Sequence, residues 1–298
     1  MGAMSSSSEK PIARGGAVRA GLPLGWPGGP GRGARRALGR GTETLAQMIG
    51  ADVVKLSKKR SVTGWALALT AGVAVVFYVY SLIVHAGDPA HHGPAGGLQH
   101  FDNAFTTFGL DFGTVAAILI GVEAGAGEVA DGTLRELVIT GRSRLVLLAA
   151  RIPAALIVTL AIAACGMAIA IAATFAFADG APTPGGWLVV RAVAWVALAD
   201  AVVCVIGVGI GALTASRPAA LIGLIAWQTI ASRLLLDTTA LGGARRAVLD
   251  AALGQLKPGP DAGRGIAMPA GTAALIVALW AVAALAAGAW RTLTRALT

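Results

Sequence analysis

Glu128-Val-Ala-Asp-Gly-Thr-Leu-Arg-Glu-Leu-Val-Ile-Thr-Gly-Arg-Ser-Arg144 is a charged stretch set between two apolar runs, 112–122 and 152–178. A polar segment bounded on both sides by Ala, Val, Leu and Ile is what joins two helices that cross a bilayer. The composition of the whole chain agrees. It is 56% hydrophobic and 13% charged, with a mean hydropathy of +0.73. A soluble domain of this length needs a polar skin that this chain cannot supply.

Six runs approach or exceed the roughly 20 residues that span a membrane as a helix. They are 65–84, about 108–122, 152–178, 187–213, 219–236 and 272–290. The second is short and must borrow from 102–110 or extend toward Gly127. Lys and Arg near span ends set the orientation. Arg32, Arg35, Arg36, Arg40, Lys55, Lys58, Lys59 and Arg60 precede the first span, and the loop 85–111 has neither Lys nor Arg. The expectation is therefore a multi-pass protein of the inner (plasma) membrane with both termini cytoplasmic. The segment 123–151 then lies inside. Arg245, Arg246, Lys257 and Arg264 run against this rule, because six spans put their loop outside.

Residues 1–41 are rich in Gly, Pro, Ser and Arg and have no periodicity, which predicts a disordered tail. They also lack the apolar core of a cleaved signal peptide. Residues 42–60 read as an amphipathic helix, with Leu45, Met48, Ile49, Val53 and Leu56 on one face and Lys58, Lys59 and Arg60 following. Such a helix lies in the headgroup layer with its cations on anionic lipid. The six spans occupy 61–298. The net charge of +9 belongs mainly to span flanks, so lipid headgroups account for it better than nucleic acid does.

Within the charged stretch, Glu128, Gly132, Thr133, Leu137, Ser143, Arg144 and Arg151 fall at set spacings. This pattern resembles the loop between the second and third spans of ABC-2 type transporter permeases, roughly E-x3-G-T-x3-L-x3-P-x-S-R with a basic residue seven positions on. Gly141 stands in place of the usual Pro, and Arg151 in place of a frequent Lys. The helix before the first span is similar too, through Asp52-x2-Lys55-Leu56-x3-Arg60.

The resemblance covers about 45–298 and implies an all-α polytopic protein. It would have six transmembrane helices, an interfacial N-terminal helix, a cytoplasmic coupling helix in the second loop and a short external helix before the sixth span. The coupling helix would carry Glu128, Gly132, Thr133, Leu134, Leu137 and Arg144 and dock on a separate ATP-binding subunit. On a helix over 129–140, Leu134, Leu137 and Val138 share one stripe, a form that seats in a groove. The implied partners are that ATPase, a second permease copy and membrane lipid. No G-x4-G-K-[ST] phosphate loop is present, so ATP and Mg would sit on the partner and this chain would hold no cofactor and be no enzyme itself. The implied activity is export, and the apolar spans favour an apolar or amphiphilic cargo such as a drug, peptide or lipid.

Other readings compete. A non-transporting immunity or sensor subunit would keep the spans but has no need of the loop pattern. Asp131-Gly132-x2-Arg135 loosely resembles the start of the CDP-alcohol phosphatidyltransferase signature. Leu134 precedes the Arg, however, and no aspartates follow in 138–160.

Inside the spans, Asp200 and Gln228 stand out, since a carboxylate at membrane depth is costly. Their positions on the fourth and fifth spans predict similar depth and a hydrogen bond between them. Gly207-x3-Gly211 permits close helix approach. Arg191, Arg217 and Arg233 read as anchors that snorkel to headgroups. Cys165 and Cys204 read as buried, reduced residues. The loop 85–111 holds all four histidines, His85, His91, His92 and His100. Its Gly and Pro content predicts a floppy loop with solvated imidazoles and no metal site. In the last loop, Val248, Leu249, Ala252, Leu253 and Leu256 form the apolar stripe of a short helix over 244–256, with Arg245 and Arg246 at headgroups.

Overall fold

The computed structural model describes residues 46–130, 144–259 and 266–294, with backbone alone at 128–130 and at Arg144. The readings of 1–41 and of the loop 131–143 lie outside the described residues. The described residues are mainly helical, with no strand among them.

Helix α1 covers 46–58. α2 is Arg60–Gly87, with a π-helical turn at Ala68–Gly72. α3 (Gly97–Leu110) and α4 (Phe112–Ala130) follow, then α5 (Arg144–Ala176) and α6 (Gly186–Thr214). α7 is Arg217–Asp237, with a π turn at Trp227–Ala231. A 3-10 segment, Thr239–Ala247, leads to α8 (Leu249–Leu256), and α9 is Ala270–Thr294. Among the described residues six helical spans are long and apolar enough to cross a membrane, α3 and α4 counting as one. The chain is a multi-pass helical membrane protein. The end of the bundle that holds Lys59, Gly127 and Arg217 is called proximal here, and the end that holds Gly87, Gly97 and Asp237 distal.

Close backbone contact organises the bundle. α4 packs most extensively on α6. A Cβ on Gly121 would lie 2.3 Å from the Cys204 carbonyl oxygen, and one on Gly125 would lie 2.2 Å from that of Val208. The facing Gly207 and Gly211 press on Gly121 and Val122. Gly207-x3-Gly211 is thus one half of an internal seam, and Gly121-x3-Gly125 is the other. Small residues let two backbones meet where no side-chain layer separates them. On the next face of α6, Gly209 meets Gly288 of α9 in the same way, with a Cβ on Gly288 only 2.6 Å from the Gly209 carbonyl.

Three sequence expectations are revised. The loop 85–111 is not floppy over its second half, because α3 starts at Gly97. Phe101, Phe105 and Phe108 fall at i, i+4 and i+7 and are all buried, with Tyr78, Met167 and Trp195 around them. The chain breaks at Asp111, between α3 and α4, and the two together make the second span that the apolar run alone left too short. The helix expected over 244–256 divides at Val248, whose backbone is extended, so α8 begins at Leu249. The third revision concerns α1. Leu56 is buried, and Ile49 and Val53 pack on the main core, so the apolar stripe faces protein rather than lipid alone. Large apolar side chains lie outside on α2 (Val76, Val79, Ile83), α7 (Ile222, Ile230) and α9 (Leu275, Leu279, Val282), as suits a surface bathed in hydrocarbon.

Replacing Gly125 by Val should cost at least about 1–3 kcal/mol, because backbone rather than a movable side chain blocks the new atoms. At Gly223 no atom lies within 4 Å of where a Cβ would stand, so Gly223→Ala should be neutral or slightly stabilising. Thermal unfolding of the two variants in one detergent would check the pair, and equal midpoints would contradict the seam.

Candidate functional site

The predicted ATPase-coupling residues Gly132, Thr133, Leu134 and Leu137 lie outside the described residues. Glu128 lies in the last turn of α4 and Arg144 begins α5, both as backbone only. What the structure does describe is the base on which that loop stands. Glu123, one turn before Glu128 and buried, accepts from Lys59 at the α1–α2 junction and from Arg217 at the start of α7, the latter at 3.0 Å. The same Arg217 guanidinium donates to the Gly127 carbonyl at 3.1 Å. Gly127 leaves room for this, since a Cβ there would come within 2.9 Å of the Glu123 carboxylate.

A small cleft beside the pair is lined by Asp52, Lys55, Leu56, Glu123 and Arg151, among others. Burial raises the pKa of Asp52, while the nearby Arg151 and Lys55 charges work to lower it. The proximal end therefore holds a charge node that joins α1, α4, α5 and α7 at the root of the loop.

This node revises two assignments. Lys58 and Arg60 are exposed, as an interfacial cluster requires, but Lys59 turns inward to Glu123. Arg217 is not a simple anchor, since it belongs to the same node. Glu123 was visible in the sequence as an acid at the end of an apolar run. Its partners, 64 and 94 residues away along the chain, were not.

Asp200 and Gln228 are both buried, as their place in the spans predicts, but they do not bond each other. The Gln228 side-chain amide donates to the Leu110 carbonyl at 3.1 Å and to Asp250 Oδ1 at 2.9 Å. Asp200 is 1% exposed, and its Oδ1 has no hydrogen-bond partner. Cys204, one turn on, accepts from Thr159 at 3.3 Å. Cys165 is exposed on α5, against its expected burial.

A second polar network fixes the distal half of the bundle. α8 is held by Gln228 on Asp250, by the Trp195 indole donating to the Leu253 carbonyl at 2.9 Å, and by a buried Lys257–Asp102 pair at 2.6 Å. Lys257 also lies 5.2 Å from the centre of the Phe105 ring. Burial raises the pKa of Asp250, against lowering by its Ser232 and Gln228 hydrogen bonds. Arg233 pairs with Asp111, and Arg245 donates to the Leu236 carbonyl near the end of α7. Neither is a plain headgroup anchor. Lys257 is neutralised by Asp102, which removes part of the charge conflict in the last loop.

The histidines are tied locally. His85 Nδ1 lies 2.7 Å from the His92 carbonyl, and His91 Nδ1 lies 2.8 Å from Asp88. Among the described residues no group of three His, Cys, Asp or Glu could hold a metal ion. No protein-family model matches the chain, and neither does any curated protein.

Replacing Glu123 by Leu should lower stability by about 1–3 kcal/mol. That is less than the loss of a fully buried pair, because Lys59 and Arg217 are partly exposed. The exchange Lys59→Glu with Glu123→Lys should recover less than half of this, since Arg217 would then face a lysine. Unfolding midpoints of the three proteins would test the node, and an undiminished midpoint for Glu123→Leu would remove it. For Asp200, whose carboxylate oxygen is buried without a partner, Asp200→Leu should keep or raise the unfolding temperature. A fall of several degrees would show that the carboxylate bonds a group in the folded protein.

Proposed function

We propose that this chain is the membrane subunit of an exporter of the ABC-2 type, driven by ATP that a separate subunit hydrolyses. The observation that carries the reading is the placing of the buried Glu123 node one turn before the 128–144 pattern. A loop that receives a push from a motor needs a stiff base linked to several helices. Here the base ties the loop's root to α1, to α2 through Lys59, and to α7 through Arg217. A displacement at Glu128 would reach three helices without passing through flexible chain. An ordinary connecting loop has no need of such a footing.

On this reading both termini and the proximal end face the cytoplasm, and α8 and the distal network face outside. Lys58 and Arg60 meet the inner headgroups. Two copies enclose the path, using an apolar outer surface such as that of α2. The cargo is apolar or amphiphilic, because the spans offer little polar lining.

The test is assembly. Co-expressed with an ATP-binding cassette subunit from the same genome, the chain should co-purify with it and raise its ATPase rate. Leu137→Asp, which puts a charge in the apolar stripe of the loop, should abolish the complex while the permease alone stays monodisperse. If no such ATPase binds, or if binding is indifferent to Leu137→Asp, the coupling role is wrong.

A further inference from the structure

Between α7 and α9 the bundle is not closed. A crevice of about 460 Å³ runs there, with α6 and part of α4 as its floor. Its walls are Leu224 and Trp227 on one side and Trp280 and Ala287 on the other, over Ile206 and Ile118. The volume lies in the range of ligand sites.

The lining has one uncharged polar side chain, Gln228, and no charged one. Both N–H groups of its amide are already spent on Leu110 and Asp250. The Trp280 indole N–H is likewise committed, to the Ala247 carbonyl at 2.9 Å. The crevice therefore presents mainly hydrocarbon and aromatic faces, and besides the Gln228 side-chain oxygen and the Trp227 indole N–H it has no group to hold a headgroup, an ion or a chain of waters. Apolar cavities stay dry.

The crevice is also built rather than left over. Toward the proximal end, the Gly209–Gly288 contact draws α9 onto α6. Two turns back along α9, Trp280 stands in the crevice wall, held by its hydrogen bond to the Ala247 carbonyl and by the Trp227 ring 5.6 Å from its own. From Ala287 to Trp280 the walls run for about 10 Å along the helix axis. The mouth lies at Gly223 and Ala283, both exposed, on the two helices whose other faces carry Ile222, Leu279 and Val282 outward. The π turn at Trp227–Ala231 sets Trp227 and Gln228 in the wall, and such turns gather at functional sites.

We infer that this crevice binds one acyl chain of a bilayer lipid, which enters sideways between α7 and α9. An empty void of this size would be strongly destabilising, since the cost of a cavity grows with its volume. Water cannot fill it, and the phase that meets its mouth in a membrane is hydrocarbon. A chain lying along the Trp227–Trp280 pair buries its methylenes while its headgroup stays at the membrane surface. The inference rests on the crevice and not on the exporter reading, and its test involves neither ATP nor a partner subunit.

The full chain would be reconstituted in vesicles of phosphatidylcholine and phosphatidylglycerol that contain phosphatidylcholine with a diazirine on one acyl chain. After illumination, labelled residues would be mapped by peptide mass spectrometry. Leu224, Trp227 and Trp280 should label severalfold more than the lipid-facing Val79 and Leu275. Labelling at all five residues should rise in proportion to the probe fraction, because probe and unlabelled lipid compete alike for the crevice, and the slope should be severalfold steeper at Leu224, Trp227 and Trp280. Gly223→Leu with Ala283→Leu, which fills the mouth, should bring crevice labelling down to the level of Val79. The comparison with Val79 and Leu275 uses the unaltered protein, so misfolding of the filled variant would not spare the inference. Crevice labelling that is no stronger than at Val79 overturns it. So does a second copy of the chain in the mouth, seen as an Ala283→Cys disulfide dimer in vesicles when Cys165 and Cys204 are replaced.

Discussion

The contact on which this fold depends is the seam of four glycines between α4 and α6. Gly121 and Gly125 meet Gly207 and Gly211 at backbone distance, so the two longest-buried spans form one rigid unit. In a membrane the solvent is as apolar as the side chains, and burying Leu against Leu gains little. Close van der Waals packing of backbones and a few internal polar bonds must supply the association instead. The seam provides the first. α9 repeats the device through Gly209 and Gly288, and α5 fills the remaining side of the core with Ala154, Ala155 and Val158.

The polar bonds lie at the proximal end of this unit and again from mid-span to its distal end. At the proximal end Glu123 draws Lys59 and Arg217 together. In the distal half Asp102, Asp111, Gln228 and Asp250 hold α8, Lys257 and Arg233 in place. The buried Asp102 and Lys257 there neutralise each other, as low-dielectric surroundings demand. Both ends are therefore tied crosswise between helices distant in sequence, and the seam joins one end to the other as a stiff rod. A structure of that kind transmits a displacement well. Asp200 sits on the rod itself, with a carboxylate oxygen left unbonded, and packing does not explain it.

Much of this was written plainly in the sequence. Runs of 18 or more apolar residues have only one stable setting, a helix in lipid, because every backbone N–H and C=O must be satisfied within the segment. Five of the six spans and their approximate limits follow from that, whereas the second needed α3, whose start at Gly97 the apolar run did not show. The amphipathic form of α1 follows from its helical period. The apolar stripe of α8 and the burial of Asp200 and Gln228 were equally legible. The Phe101, Phe105, Phe108 spacing was also there to be read. It was hidden by the Gly and Pro that precede it and by the mild hydropathy of α3.

What only the tertiary structure decided was pairing. Period and hydropathy are local quantities, and they say that a residue is buried without saying against what. Gln228 could have met Asp200 on depth alone, yet the rotation of α7 turns it to Leu110 and Asp250. Gly207 and Gly211 read as a motif of low specificity until Gly121 and Gly125 were found opposite them. Lys59, Arg217 and Arg233 read as headgroup anchors, and Lys257 as a charge against the topology, because a sequence shows a charge near a span end but not the carboxylate 64 to 155 residues away that neutralises it. The crevice between α7 and α9 has no sequence signature at all. It is the space left where one pair of glycines draws α9 onto α6 while the Trp227–Trp280 pair stands between α9 and α7, and only the packed bundle contains it.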